Sequence, residues 1–143
     1  MKIPVAVISS LVALVACASN QQSTALPFFP QVAPQPPGFD EVWLLAAFSG
    51  EVVVEDGCVK VRSPGATHGT TVLWYQGIEL GRDASGFFLY HVQSGNITRF
   101  NTLSKFGGGD APAKYINYAY PEVASRCGPP YSYGYPANVY DAP

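Results

Sequence analysis

Hydrophobic and polar positions divide the chain into three regimes. Ile3 to Ala16 is an apolar run, broken only by Pro4, Ser9 and Ser10, that follows Lys2 and stops at Cys17. Ala18 to Asp40 has no such run; prolines stand at 27, 30, 34, 36 and 37, and glutamines at 21, 22, 31 and 35. From Glu41 onward, short β-prone runs alternate with turn residues. Strands are predicted over Trp43–Phe48 with Glu51–Val54, Cys58–Arg62, Thr70–Tyr75, Phe87–Gln93 and Ile97–Phe106, with a closing strand near Tyr131–Tyr135. Asp56-Gly57 is a tight hairpin signal, which places Val59 and Val61 toward the core. Gly77–Asp83 reads as a turn, and Gly107–Gly109 as the end of a strand. No segment sustains a 3.6-residue period. Ala111–Arg126 is the one helical candidate, and Pro112 and Pro121 weaken it to a single short, irregular helix at most.

The leading run is too short to span a bilayer, which takes roughly 20 apolar residues, and polar residues follow Ala18. It reads as an export signal. Leu14-Val15-Ala16-Cys17 at its end resembles the lipobox of bacterial lipoproteins, which implies cleavage after residue 16 and acylation of Cys17, the new N-terminus. The absence of an Asp directly after Cys17 resembles the outer-membrane sorting pattern. The expected organisation is therefore a signal peptide (1–16), a lipidated N-terminus with a Pro/Gln-rich linker (17–40) and a folded domain (41–140). Proline fixes φ and removes backbone donors, so the linker is expected to be extended. Phe28 and Phe29 are the exception within it: two adjacent rings either dock on the domain or serve a partner.

Composition narrows the function classes. Gly and Pro supply 27 of 143 residues, which excludes long helices and coiled coils, while nine Tyr and eight Phe suit a β-rich core. Eight basic against ten acidic residues leave no cationic stripe for nucleic acid. Cys58 and Cys127 remain after lipidation, and in an exported chain the pair is expected to be bridged. Two free thiols, or a catalytic one, are the alternative, but no CxxC spacing is present and Cys58 sits in a predicted strand, not at a helix N-terminus. Cys58 shares its strand face with Lys60 and Arg62, so such a bridge would lie toward the surface unless a bulge changes the phase.

Catalytic patterns are sparse. There is no GxSxG elbow and no HxxxH, HxH or CxxC, so His68 and His91 read as structural, and neither a metal nor a cofactor is expected. Glu51, Glu55, Asp56, Glu79 and Asp83 could converge as paired carboxylates, although hairpin acids are usually solvated. Gly107-Gly108-Gly109-Asp110 offers backbone donors to an anion or marks a barrel corner. Tyr131, Tyr133, Tyr135 and Trp74 form the candidate binding surface; the competing reading is that the tyrosines cover the barrel end.

The order Ser49-Gly50 to Gly57-Cys58-Val59, then Val72-Leu73-Trp74, Lys105-Phe106-Gly107-Gly108-Gly109 and Cys127-Gly-Pro-Pro-Tyr131 resembles small bacterial exported and lipoprotein barrels of unknown function. The resemblance covers roughly residues 44–135. Tyr75 and Phe100-Asn101 depart from it at two turns. It implies a mainly β, five-stranded OB-like antiparallel barrel and supplies no catalytic residue. The function it leaves is a non-catalytic envelope module. Its partners would be the bilayer, through acylated Cys17, and an envelope protein or glycan. An inhibitor of an incoming hydrolase such as lysozyme is the alternative.

Overall fold

The computed structural model describes residues 25–38 and 42–141; the signal segment and Cys17 lie outside the described residues. The described residues form eight strands: β1 (Ala46–Glu55), β2 (Cys58–Arg62), β3 (Thr70–Trp74), β4 (Ile78–Asp83), β5 (Gly86–His91), β6 (Ile97–Arg99), β7 (Leu103–Asp110) and β8 (Tyr131–Pro136). Helices α1 (Ala113–Ala119) and α2 (Pro121–Cys127) connect β7 to β8, and a 3₁₀ turn follows at Ala137–Tyr140. Five strands close into a barrel in the order β1-β2-β3-β8-β7, while β4-β5-β6 form a separate three-stranded sheet. The third and fifth barrel strands in chain order, β3 and β8, pair in parallel, as in OB-type barrels.

That parallel pair corrects the antiparallel expectation. Strand directions cannot alternate all the way around a ring of five, so at least one neighbouring pair must run the same way. Two short helices replace the single one expected. Pro121 cannot continue α1 but is suited to the first turn of α2, so the breaker divides the helical segment without abolishing it.

The β1–β2 hairpin turns at Asp56 (φ 53°) and Gly57 (φ 76°), both left-handed as a type I′ turn requires. Its register pairs Val52 with Val61 and Val54 with Val59. Alternation turns Val52, Val59 and Val61 inward with Val72, Trp74 and Phe106, while Val54 beside the turn stays exposed. Val52, Val59, Val72 and Trp74 are wholly buried. Gly107 and Gly108 lie inside β7 instead of ending it. A Cβ on Gly107 would sit 2.3 Å from the Tyr135 ring, and one on Gly108 would sit 1.9 Å from the Tyr133 carbonyl oxygen.

Two further expectations change. Gly77–Asp83 is mostly strand, because β4 pairs with β5 from Ile78–His91 to Asp83–Gly86. Gly81 there leaves room for the Phe88 ring. The single strand expected over 97–106 breaks at Asn101 (φ 57°), whose N–H donates to the Val52 carbonyl and ties the small sheet to the barrel. Strand β5 therefore belongs to the small sheet and not to the barrel.

The folded unit also takes in part of the proline-rich stretch. Strands β2 and β3 pair only at Lys60–Thr71 and Val61–Thr70, then separate. Residues 28–32 fill the split. Phe28 N–H donates to Gly57 O and Val59 N–H to Phe28 O; Trp74 N–H donates to Pro30 O and Val32 N–H to Trp74 O. Buried backbone groups left without partners are costly, so this segment completes the sheet. Phe29 stacks on Trp74 at 6.0 Å, and the Arg126 guanidinium lies 4.0 Å over the Phe28 ring. Both phenylalanines are thus docked.

Cys58 and Cys127 are bridged, with Cα atoms 5.7 Å apart. Cys58 does lie on the outward face with Lys60, as alternation demands. Both are nonetheless buried, at 1% and 5% exposure, because the docked segment and the end of α2 cover that face.

Replacing both Cys58 and Cys127 by Ala is expected to cost about 4 kcal/mol, since the bond closes a loop across 69 positions; urea unfolding of the oxidised wild type against the double variant measures it. Phe29→Ala is expected to cost about 2 kcal/mol, below the full cost of a core Phe because the ring is half-buried, and the same unfolding assay reads it.

Candidate functional site

The sequence-predicted surface does not form as a unit. Trp74 is wholly buried, and Tyr131 and Tyr135 are 5% and 3% exposed. Alternation along β8 sends Tyr131, Tyr133 and Tyr135 to its outer face, where the closing strand is overlaid; Ala111 N–H donates to Tyr131 O at the start of the helical connection. Only Tyr133 stays half-exposed. Its hydroxyl pKa is pushed up to about 12, chiefly by burial and then by Tyr115, Tyr120 and Tyr75, so it remains a protonated donor.

The face that OB-type barrels often offer to oligonucleotides or oligosaccharides, along the second and third strands, is also closed. Residues 28–32 and α2 occupy it, and the Thr71 hydroxyl donates to Gly128 O at 2.7 Å. The acidic residues do not converge. Glu51 pairs with Arg62 at 3.5 Å, and Asp83 takes a two-point bond from Arg99 at 2.8 and 2.6 Å. Glu79 accepts from the Tyr90 hydroxyl. Glu55 accepts from Gly69 N–H at 2.9 Å and faces Lys60 at 3.7 Å and His68 at 3.4 Å. Among the described residues no three His, Cys, Asp or Glu gather as a metal site. The Gly107–Gly109 run serves close packing, as its contacts with Tyr135, Tyr133 and Leu44 show.

The structure instead builds an aromatic end on the barrel. Trp43, just before β1, stacks on Tyr75 at 5.0 Å and 17°, and lies 4.6 Å from Tyr135 and 6.4 Å from Tyr140. Tyr75 accepts from Leu44 N–H at 3.1 Å, which fixes the approach of the chain to β1. Two clefts flank this stack. The larger, about 680 Å³, opens between Trp43 and Tyr140 on one wall and Glu79, His91 and Gln93 on the other. The smaller, about 300 Å³, is lined by Tyr75, Tyr115, Tyr120 and Tyr133 together with Val42 and Leu44.

The walls of the larger cleft are held from behind. The Gln76 amide donates to the Val32 carbonyl, so the docked segment reaches the base of the cleft. The Asn96 amide donates to Asn138 O at 2.7 Å and Asp141 O at 3.1 Å, and Asn138 donates back to Ile97 O at 3.1 Å. These bonds clamp the turn that carries Val139 and Tyr140 to the small sheet. His91 Nδ1 lies 3.0 Å from the Ser94 hydroxyl and 3.4 Å from Ser94 N, contacts that hold the ring against the turn after β5.

Sequence reasoning missed Trp43 as a site residue because WLLAAF reads as a strand, whereas the strand starts at Ala46. Tyr140 carries no motif of its own in the sequence. Comparison of the chain with protein-family models, with curated proteins and with solved structures finds no match.

The Glu55 carboxyl is held below its ordinary value, first by the Gly69 N–H and also by Lys60 and His68, against an opposing push from burial. A carboxyl lowered in this way contributes stability above its unfolded pKa and loses it as pH falls through the folded value. Glu55→Gln is therefore expected to be less stable than wild type at pH 7 and to converge with it once pH falls below the ordinary carboxylate range; urea midpoints across that range check the sign.

Proposed function

We propose that this chain is a lipid-anchored module of the bacterial envelope that binds an envelope protein or glycan without catalysing a reaction. The anchor rests on Leu14-Val15-Ala16-Cys17 at the end of a basic start and an apolar run. The binding role rests on one observation, the pair of open clefts around the Trp43–Tyr75 stack. Aromatic rings beside a few convergent polar groups are the usual composition of a recognition cleft. The raised hydroxyl pKa of Tyr133, which lines the smaller cleft, keeps it a neutral donor.

Anchoring at Cys17 would also set a distance. Cys17 stands ten positions before Pro27, so the connection can span at most about 36 Å, since Phe28 is already on the barrel. The domain then works close to the bilayer surface. Several acyl chains at one residue supply more than marginal membrane affinity, at about 0.8 kcal/mol per buried methylene.

The mature protein from native membranes is expected to show the mass of residues 17–143 plus acyl modification, and Cys17→Ser is expected to leave the membrane fraction. Intact mass spectrometry with fractionation decides it; an unmodified Cys17 overturns the anchor.

A further inference from the structure

We propose that the cleft between Trp43 and Tyr140 binds an uncharged pyranose ring, the chemistry of a neutral hexose or N-acetylhexosamine glycan. The proposal rests on the binding role argued above and names its ligand class. Three features of the cleft carry it.

The first is a stiff stacking platform. Trp43 is half-buried, with Tyr75 stacked nearly parallel at 5.0 Å and Tyr135 at 4.6 Å, so its ring is held in place before any ligand arrives. A sugar presents an apolar C–H face that packs on such a ring, and a fixed ring loses little entropy on binding. Tyr140, 67% exposed and tilted 58° to Trp43, stands beside it as an amphipathic edge.

The second is the opposite wall, where polar groups suit hydroxyls and amides. Glu79, His91 and Gln93 line it, Glu79 projecting from the Tyr90 face of the small sheet and His91 from the Ile78 face, and together they supply a carboxylate, an imidazole and an amide. Ser94 and Tyr90 orient two of these three before binding.

The third is charge. Among the described residues lining the cleft, Glu79 is the formally charged one, and no Lys or Arg is present. A phosphate or carboxylate polymer would meet a carboxylate with no cation to offset it, so an anionic glycan is disfavoured. The volume of about 680 Å³ is within the usual range for small-ligand sites.

The two tryptophans make the test selective. Trp74 is wholly buried, so ligand-dependent change in indole emission reports on Trp43. The full mature chain, held in a detergent without sugar headgroups, is titrated with tri-N-acetylchitotriose, with maltotriose and with the anionic polymer polygalacturonate. A saturable change with at least one neutral trisaccharide is expected, weakened about tenfold or more in Tyr140→Ala. That variant alters an exposed ring, and an unchanged thermal midpoint shows that it still folds. No saturable change with either neutral sugar, a response to the polyanion alone, or an unaltered affinity in Tyr140→Ala overturns the proposal. A blank sugar titration beside capture of a defined envelope protein removes the pyranose and leaves the binding role. An unacylated Cys17 removes the anchor and leaves the cleft.

Discussion

A closed ring of five strands cannot alternate in direction all the way around, and the parallel β3–β8 seam is where this barrel meets that constraint. A parallel neighbour cannot be reached by a tight turn, and between β3 and β8 the chain builds the small sheet, β7 and the two helices. Helices α1 and α2 join β7 to its antiparallel neighbour β8. They bring Tyr115 and Tyr120 beside Tyr133 and deliver Cys127 to the outer face of β2. The parity of the strand count thus sets the seam, and the helical connection sets the site of the bridge.

The same barrel leaves a second demand, at the point where β2 and β3 part. Backbone donors at Val59 and Trp74 and acceptors at Gly57 and Trp74 find their partners in residues 28–32. Closing that split also occupies the face that OB-type barrels often use, while two clefts stay open at the end around Trp43. The β4–β5–β6 sheet and the clamped C-terminal turn supply the other walls there.

Much of the barrel was legible because its signals are local. Asp56-Gly57 permits one kind of hairpin, Val59 and Val61 alternate inward, and the Tyr131–Tyr135 strand closes the sheet where expected. The errors share a cause: each depended on contacts remote in sequence. Gly81 reads as a turn residue until the Phe88 ring is placed beside it, and Gly107 reads as a strand end until Tyr135 is. Pro27 and Pro30 mark a linker by composition, but Pro30 is buried because its carbonyl answers Trp74. Asn101 tolerates the left-handed conformation that divides β6 from β7, a preference too weak to overrule an apparent alternation. The candidate site was the least legible part, since Trp43, Glu79, His91 and Tyr140 come from four separate segments with no common spacing.

The docked segment also defines a load path. Phe28 runs parallel to the start of β2, so tension drawn toward the N-terminus acts along that pairing in shear and is shared with the Pro30 and Val32 bonds to Trp74. Immediately behind Phe28, the Cys58–Cys127 bond passes the strain into α2. Tension drawn from the N-terminal side would therefore load the Phe28, Pro30 and Val32 bonds before it reaches the aromatic end around Trp43.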